Sequence, residues 1–209
     1  LGTAGYGLYS VKDRNTQKGT DDLFTIRQER QYAERDSDVF FTHIYEDKHH
    51  YLWQSSHLSI FTRFIKKQGK VQRKDFKSPC GAPVAFIQHR PQTMLIACMY
   101  GIVYYDYRTG RIADAGYDFG GYKNNVTINN ATFDHEGNLY ISTSEHGVLM
   151  IRKGSNRVEQ LENSNSSFNL ATAFVNEIIE DKDNNLWIGC YNKGLYLINQ
   201  RQQAFNSWS

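Results

Sequence analysis

From Val175 to Leu197 the chain reads VNEIIEDKDNNLWIGCYNKGLYL. Val175 and Ile178 flank the polar pair Asn176 and Glu177, which predicts a short strand with one apolar side. The run from Asp181 to Asn185 is turn chemistry, because Asp and Asn tolerate left-handed backbone and bond their own main chain. Leu186 to Cys190 is almost continuously apolar, as expected of a strand that packs on both faces. Gly194 reverses the chain, and Leu195 to Ile198 supplies a third strand. A polar turn at Arg201 to Gln203 then leads to a weaker fourth strand around Phe205.

The same landmarks recur upstream in the same order. Ile128, Ala131, Asp134, Leu139, Tyr140, Ile141, Ser142, Thr143, Gly147, Val148 and Leu149 match throughout. Pro83, Phe86, His89, Met94, Leu95, Ile96, Ala97, Cys98, Gly101 and Ile102 match with one residue fewer in the last loop. Phe41, Ile44, Asp47, Leu52 and Trp53 match, after which Gln54, Ser55 and His57 replace the small residues and the glycine. Leu1 to Tyr9 carries the back half of the unit, with Thr3 and Gly7 spaced like Cys190 and Gly194. Polar turns at Gln68–Lys70, Thr109–Arg111 and Ser155–Arg157 precede outer strands around Val71, Ile112 and Val158. The intervals between Leu52, Met94, Leu139 and Leu186 are 42, 45 and 47 residues. Repeats of about 40–50 residues, each with four antiparallel strands, are blades of a β-propeller.

The expected fold is therefore all-β, a β-propeller of four-stranded antiparallel blades that is incomplete: four blades and part of a fifth. The expected boundaries are 1–38 (partial blade and connection), 39–83, 84–126, 127–173 and 174–209. A β-sandwich with coincidental spacing is the competing architecture, and the joint recurrence of the landmarks speaks against it. Trp53, Leu95, Tyr140 and Trp187 share one offset and should occupy equivalent places, with Trp187 a buried aromatic between blades. The stub at residues 1–9 lacks an innermost strand, so an open arc is expected. Its apolar blade faces would associate with another copy or with the rest of a parent protein.

Composition narrows the function classes. The 24 basic and 22 acidic residues give a net charge of +2, which offers no electrostatic case for nucleic acid or an anionic membrane. Fourteen Tyr and 12 Phe against 3 Pro suit short strands and tight turns. No apolar run approaches the ~20 residues of a membrane helix, and no signal peptide is visible. An opening at Leu1 without an initiator Met reads as an excised segment. Three cysteines cannot complete a disulfide framework. Cys98 and Cys190 hold the place of Thr143 and read as inert buried thiols.

Several motifs invite chemistry and fail on spacing. Asp181, Asp183 and Asn185 begin like a calcium loop, but Leu186 stands where that loop needs Gly and Asn192 where it needs Glu. Gly2, Gly5 and Gly7 have neither the ending of a phosphate loop nor dinucleotide spacing. His43, His49 and His50 lack a cysteine or second cluster to complete a metal site, and read as surface turn residues. Ser144, Glu145 and His146 are adjacent and cannot adopt triad geometry. Asn125, Asn130 and Asn165 are glycosylation sequons by pattern alone, and Thr132 should lie within a strand. No catalytic residue, metal or cofactor is assigned.

At Val175, Asp181, Leu186–Gly189 and Gly194–Tyr196 the chain resembles the two-component regulator propeller repeat, and Leu1–Thr3 with Gly7–Tyr9 repeats the end of that pattern. Departures are Asn185 for the turn Gly, Cys190 for Thr, and the degenerate copy around His57. The resemblance implies a hybrid two-component sensor of a glycan-degrading bacterium. Its periplasmic region would be anchored in the inner membrane and expected to dimerise, with a histidine kinase elsewhere. This segment would then sense ligand or transmit its signal, without contacting nucleic acid or membrane itself.

The hairpins between second and third strands should project to one face of a propeller. They carry the candidate ligand residues Tyr6, His57, Tyr100, His146, Tyr191 and Asn192, whose rings and polar groups suit an oligosaccharide. Ordinary solvated loops account for the same residues. A polysaccharide lyase or hydrolase is the alternative function, though these hairpins offer only Glu145 as a carboxylate. A non-binding scaffold that sets dimer geometry is the third.

Overall fold

A computed structural model describes residues 2–3, 7–13, 24–28, 42–56, 58–162, 169–199 and 204–208. The chain divides into two compact units, Leu1–Pro83 and Val84–Ser209. Every regular element among the described residues is a strand, apart from 3-10 turns at Gly120–Tyr122 and Leu170–Thr172. No helix there is long and apolar enough to cross a membrane.

The first unit contains a three-stranded antiparallel sheet of β1 (Gly2–Thr3), β2 (Gly7–Asp13) and β3 (Phe24–Gln28). A four-stranded antiparallel sheet follows: β4 (His43–Glu46), β5 (Leu52–Ser55), β6 (Ile60–Lys67) and β7 (Lys70–Lys77). Trp53, Phe61 and Phe76 form its buried centre, with ring centroids 5.2–6.0 Å apart. The Arg63 guanidinium lies over Tyr51, 5.0 Å from the ring centroid. His49 and His50 are exposed turn residues as expected, whereas His43 is a half-buried strand residue whose pKa burial lowers.

The second unit holds three four-stranded antiparallel sheets. The first is β8 (Pro83–Arg90), β9 (Thr93–Cys98), β10 (Gly101–Asp106) and β11 (Ile112–Asp114). The second is β12 (Ile128–Phe133), β13 (Leu139–Thr143), β14 (Val148–Ile151) and β15 (Val158–Gln160). The third is β16 (Val175–Glu180), β17 (Asn185–Cys190), β18 (Gly194–Asn199) and β19 (Ala204–Trp208). In each sheet neighbours in sequence are neighbours in space, the meander of a propeller blade. The incomplete propeller of four-stranded blades that the repeat predicts is the fold observed.

Why β13 and β14 are apolar throughout is visible in their packing. Leu139, Ile141, Leu149 and Ile151 face a core shared with Leu95, Ala97 and Ile102 of the preceding blade. Tyr140, Val148 and Met150 face a second core with Val175, Ile178, Leu186 and Ile188 of the following one. A strand sandwiched between two blades must be apolar on both faces. The innermost strands β12 and β16 both carry a bulge near their start, at Ile128/Asn130 and Val175/Glu177. Asn129 Nδ2 donates to the Val175 carbonyl across that inner seam.

Trp53, Leu95, Tyr140 and Trp187 all fall in the second strand of their sheets. Their burial differs: the first three are buried, while Trp187 is half-buried and not the enclosed aromatic expected. Its face of β17 is the one the shared core does not use. Cys98 and Cys190 are buried free thiols, and burial pushes Cys190 up to about 11, so it stays protonated.

Candidate functional site

Within the second unit, the hairpins joining second and third strands share one face with the connections between blades. The β9–β10 hairpin accepts, at the Met99 carbonyl, the N–H of Ile128 from the next blade. The β13–β14 hairpin takes the Gly147 N–H to the Ala173 carbonyl, and Gln160 Nε2 donates to both His146 O and Ala171 O. The β17–β18 hairpin sends the Tyr191 N–H to the Phe174 carbonyl.

On this frame Tyr100 and Tyr191 stand out, 62% and 60% exposed. Tyr191 leans on Phe174, itself 41% exposed, at 5.5 Å between centroids. Together they make a small aromatic shelf. Asn192 occupies the left-handed turn position (φ 54) and is exposed. His146 is used differently. Its Nε2 lies 3.0 Å from the Asn125 carbonyl, which can only accept, so that nitrogen carries the proton. Its ring meets Tyr122 edge-on at 5.1 Å. His146 thus ties the hairpin to the preceding connection. Tyr6 and His57 lie outside the described residues. Among the described residues, no hydrogen bond or ring contact joins any two of Tyr100, His146 and Tyr191; they sit on successive hairpins. Glu145 accepts both the N–H and the hydroxyl of Thr127, and Ser144 Oγ pairs with Asn129, so the Ser-Glu-His run is structural.

The opposite face of the same unit has a feature the sequence reading missed. A cleft of about 650 Å³ opens between the β8–β11 and β12–β15 blades. Arg90, Arg152 and Lys153 line it, with Tyr104 and Tyr117 and the apolar Phe133, Leu139 and Ile151. The two tyrosine hydroxyls are 3.3 Å apart. Burial first, then the Tyr104 hydroxyl, pushes the Tyr117 pKa well up against the opposing pull of Arg90. The only trace of this site in the sequence is a cation at the end of one strand, Arg90, and a pair just after another, Arg152-Lys153, with Arg90 and Arg152 62 residues apart.

Residues 169–192 match the family described as two component regulator propeller. No curated protein matches the chain. Among solved structures, the chain is similar to the extracellular domain of a protein assigned to a one-component system of B. thetaiotaomicron. Identity is 21% over 90% of this chain and 28% of that one, with a TM-score of 0.66. It is similar also to PorZ, a surface component of the type-IX secretion system of Porphyromonas gingivalis, at 15% identity over 100% of this chain and 32% of that one (TM-score 0.68). Virginiamycin B lyase from Staphylococcus aureus is 12% identical over 91% of this chain and 61% of that one (TM-score 0.61). The chain spans about a third or less of the first two proteins. Three such different proteins share the blades, so the likeness is one of fold. The chain is an incomplete β-propeller, and residues 169–192, leading into its last blade, match the two component regulator propeller family.

Proposed function

We propose that this chain is an extracytoplasmic ligand-sensing segment of a two-component sensor, responding to an oligosaccharide and performing no catalysis itself. The observation that carries the reading is the last blade, where the two-component regulator propeller match ends on the hairpin that displays Tyr191 and Asn192. Exposed rings on a firmly bonded frame suit the apolar faces of sugars, and neighbouring amides suit their hydroxyls. Tyr100, Tyr191 and Asn192 would contact the ligand, and His146 would position its hairpin. The one carboxylate of these hairpins, Glu145, is held by Thr127, which speaks against glycoside chemistry there.

In this reading the segment belongs to a periplasmic, membrane-anchored parent that works as a dimer. Ligand would favour one packing of paired sensor regions and so bias a histidine kinase elsewhere in that parent. Calorimetric titration with neutral and acidic disaccharides and longer glycan fragments tests it. Tyr100→Ala or Tyr191→Ala is expected to weaken saccharide binding about tenfold or more, roughly 1.4 kcal/mol, with folding intact because both rings are exposed. Unchanged affinity in both variants removes the hairpin face as the site. Absence of saccharide binding leaves the segment as a scaffold.

A further inference from the structure

The cleft on the opposite face is a built site. Strand β11 ends at Asp114 because the chain leaves its own blade there and crosses to the next. The Asp118 N–H donates to the Asn156 carbonyl at 2.7 Å, and the Val158 N–H donates back to Asp118 O at 3.0 Å. This crossing segment closes the outer side of the space between the two blades. The cleft is therefore defined by backbone hydrogen bonds on one side and by the Phe133, Leu139 and Ile151 core edge on another.

Its charge is one-sided. Three cationic side chains line it, and no Asp or Glu does among the described residues. Arg152 is partly neutralised by Glu159, 3.2 Å from its Nε. Arg90 and Lys153 leave the cleft positive, in a chain that is nearly balanced as a whole. Burial keeps Tyr117 protonated, so its hydroxyl is available as a donor at any physiological pH. An arginine fork, an ammonium and a phenol around one space match the oxygens of a carboxylate or sulfate. The aromatic and aliphatic wall beside them matches the C–H face of a sugar ring, and about 650 Å³ is in the range of a small-ligand pocket.

We propose that this inter-blade cleft binds an acidic oligosaccharide, with Arg90 and Lys153 holding the anionic group and Tyr117 donating to it. That the ligand is a sugar rests on the sensing function proposed above; that it is anionic rests on the cleft alone. The anion can be a uronate carboxylate or a sulfate ester, and the probes separate the two.

The full chain is titrated with a galacturonate disaccharide, a sulfated galactose disaccharide, the neutral galactose disaccharide and inorganic sulfate. At least one acidic disaccharide is expected to bind ten or more times tighter than the neutral one. Arg90→Gln combined with Lys153→Gln is expected to erase that preference, while Lys182→Gln, which removes an exposed cation outside the cleft, leaves it intact. All three substituted cations are exposed, so folding should be unaffected. Tyr117→Phe, which keeps the ring, should give a smaller loss. Equal binding of the neutral disaccharide overturns the cleft assignment while leaving saccharide sensing in place. So does an acidic preference that survives the double substitution. Sulfate binding as tightly as either acidic disaccharide overturns a sugar ligand for the cleft and leaves saccharide sensing at the hairpins to its own titration.

Discussion

Asp47, Asp134 and Asp181 each stand six residues ahead of an aromatic ring, and Asp47 and Asp181 divide their carboxylates between a turn and that ring. Asp47 Oδ1 accepts the N–H groups of His49 and Tyr51, and Oδ2 accepts Trp53 Nε1–H at 2.7 Å. Asp181 does the same for Asp183, Asn185 and Trp187. In the Asp134 copy Asn138 supplies the turn donors through both its N–H and its side-chain amide, and Tyr140 stands in the place of the indole ring. The sequence shows why Asp recurs in a turn; it does not show that the same carboxylate locks the strand aromatic. Trp53 is fully buried, so Trp53→Ala should cost about 3–5 kcal/mol in chemical denaturation. Trp187→Ala should cost clearly less, because its ring is half-exposed. An equal loss at both sites would contradict that burial difference. Hydrogen bonds from Asn185 and then Trp187 hold the Asp181 carboxyl at about 2, below its ordinary 3.8. A depressed carboxyl stabilises the fold fully above its unfolded pKa and loses that contribution as pH falls through the folded one. The deficit of Asp181→Asn relative to wild type should therefore shrink between pH 4 and pH 2 in thermal melts. A deficit unchanged over that window would rule the linkage out.

Blades were legible because each strand's pattern has a local cause. The apolar run at Leu139–Thr143 announces a strand covered on both sides, and the polar turn at Asp134–Asn138 announces the reversal before it. The connection after β11 was not legible. Ala115 to Asn125 carries turn-forming Gly and Asn, yet its role is set by the outer strand of the next blade, through Asp118 and Asn156. The landmark Gly147 has a tertiary reason as well as a local one. Its φ is +60, and a Cβ there would lie 1.8 Å from the Leu170 carbonyl oxygen. Gly147→Ala must therefore move the backbone joining two blades, and should cost about 3 kcal/mol or more. A variant as stable as wild type would mean that this seam is loose. A second seam is pH-dependent: His135 Nδ1 meets Glu180 Oε1 at 2.6 Å across the same two blades. The Glu180 carboxylate raises the imidazole pKa above 6.5. The bond's contribution is complete below that value and fades as pH rises through the raised one. Glu180→Gln should lower the melting temperature at pH 5.5 and matter less at pH 8.5; an effect independent of pH would show the pair to be idle.

At the scale of the molecule, the sequence reading located hairpin candidates because a hairpin is a local object with a fixed place in the repeat. The inter-blade cleft escaped it because Arg90, at the end of β8, and Lys153, in a turn after β14, belong to different blades and meet only through packing. The exposed face of the last blade follows from the same repeat logic. In the β12–β15 blade, Thr132, Tyr140 and Met150 are aligned across three strands, and Tyr140 and Met150 are each only 7% exposed beneath the following blade. The aligned residues of the last blade are Ile179, Trp187 and Leu197. Here Ile179 is 54% exposed, Trp187 and Leu197 are half-buried, and neighbouring Leu195 is 42% exposed. Ile179 and Leu195 thus expose large apolar side chains on the face that receives a blade in the preceding repeat. Such a surface favours association. The 209-residue chain produced by itself is therefore expected to self-associate through β16–β18. Sedimentation velocity over a hundredfold concentration range should show species larger than the monomer. Ile179→Lys with Leu195→Lys should shift them to monomer, since both side chains are already exposed and the change leaves the shared core untouched. A wild-type chain that stays monomeric and compact throughout that range would mean that this face is satisfied without a partner.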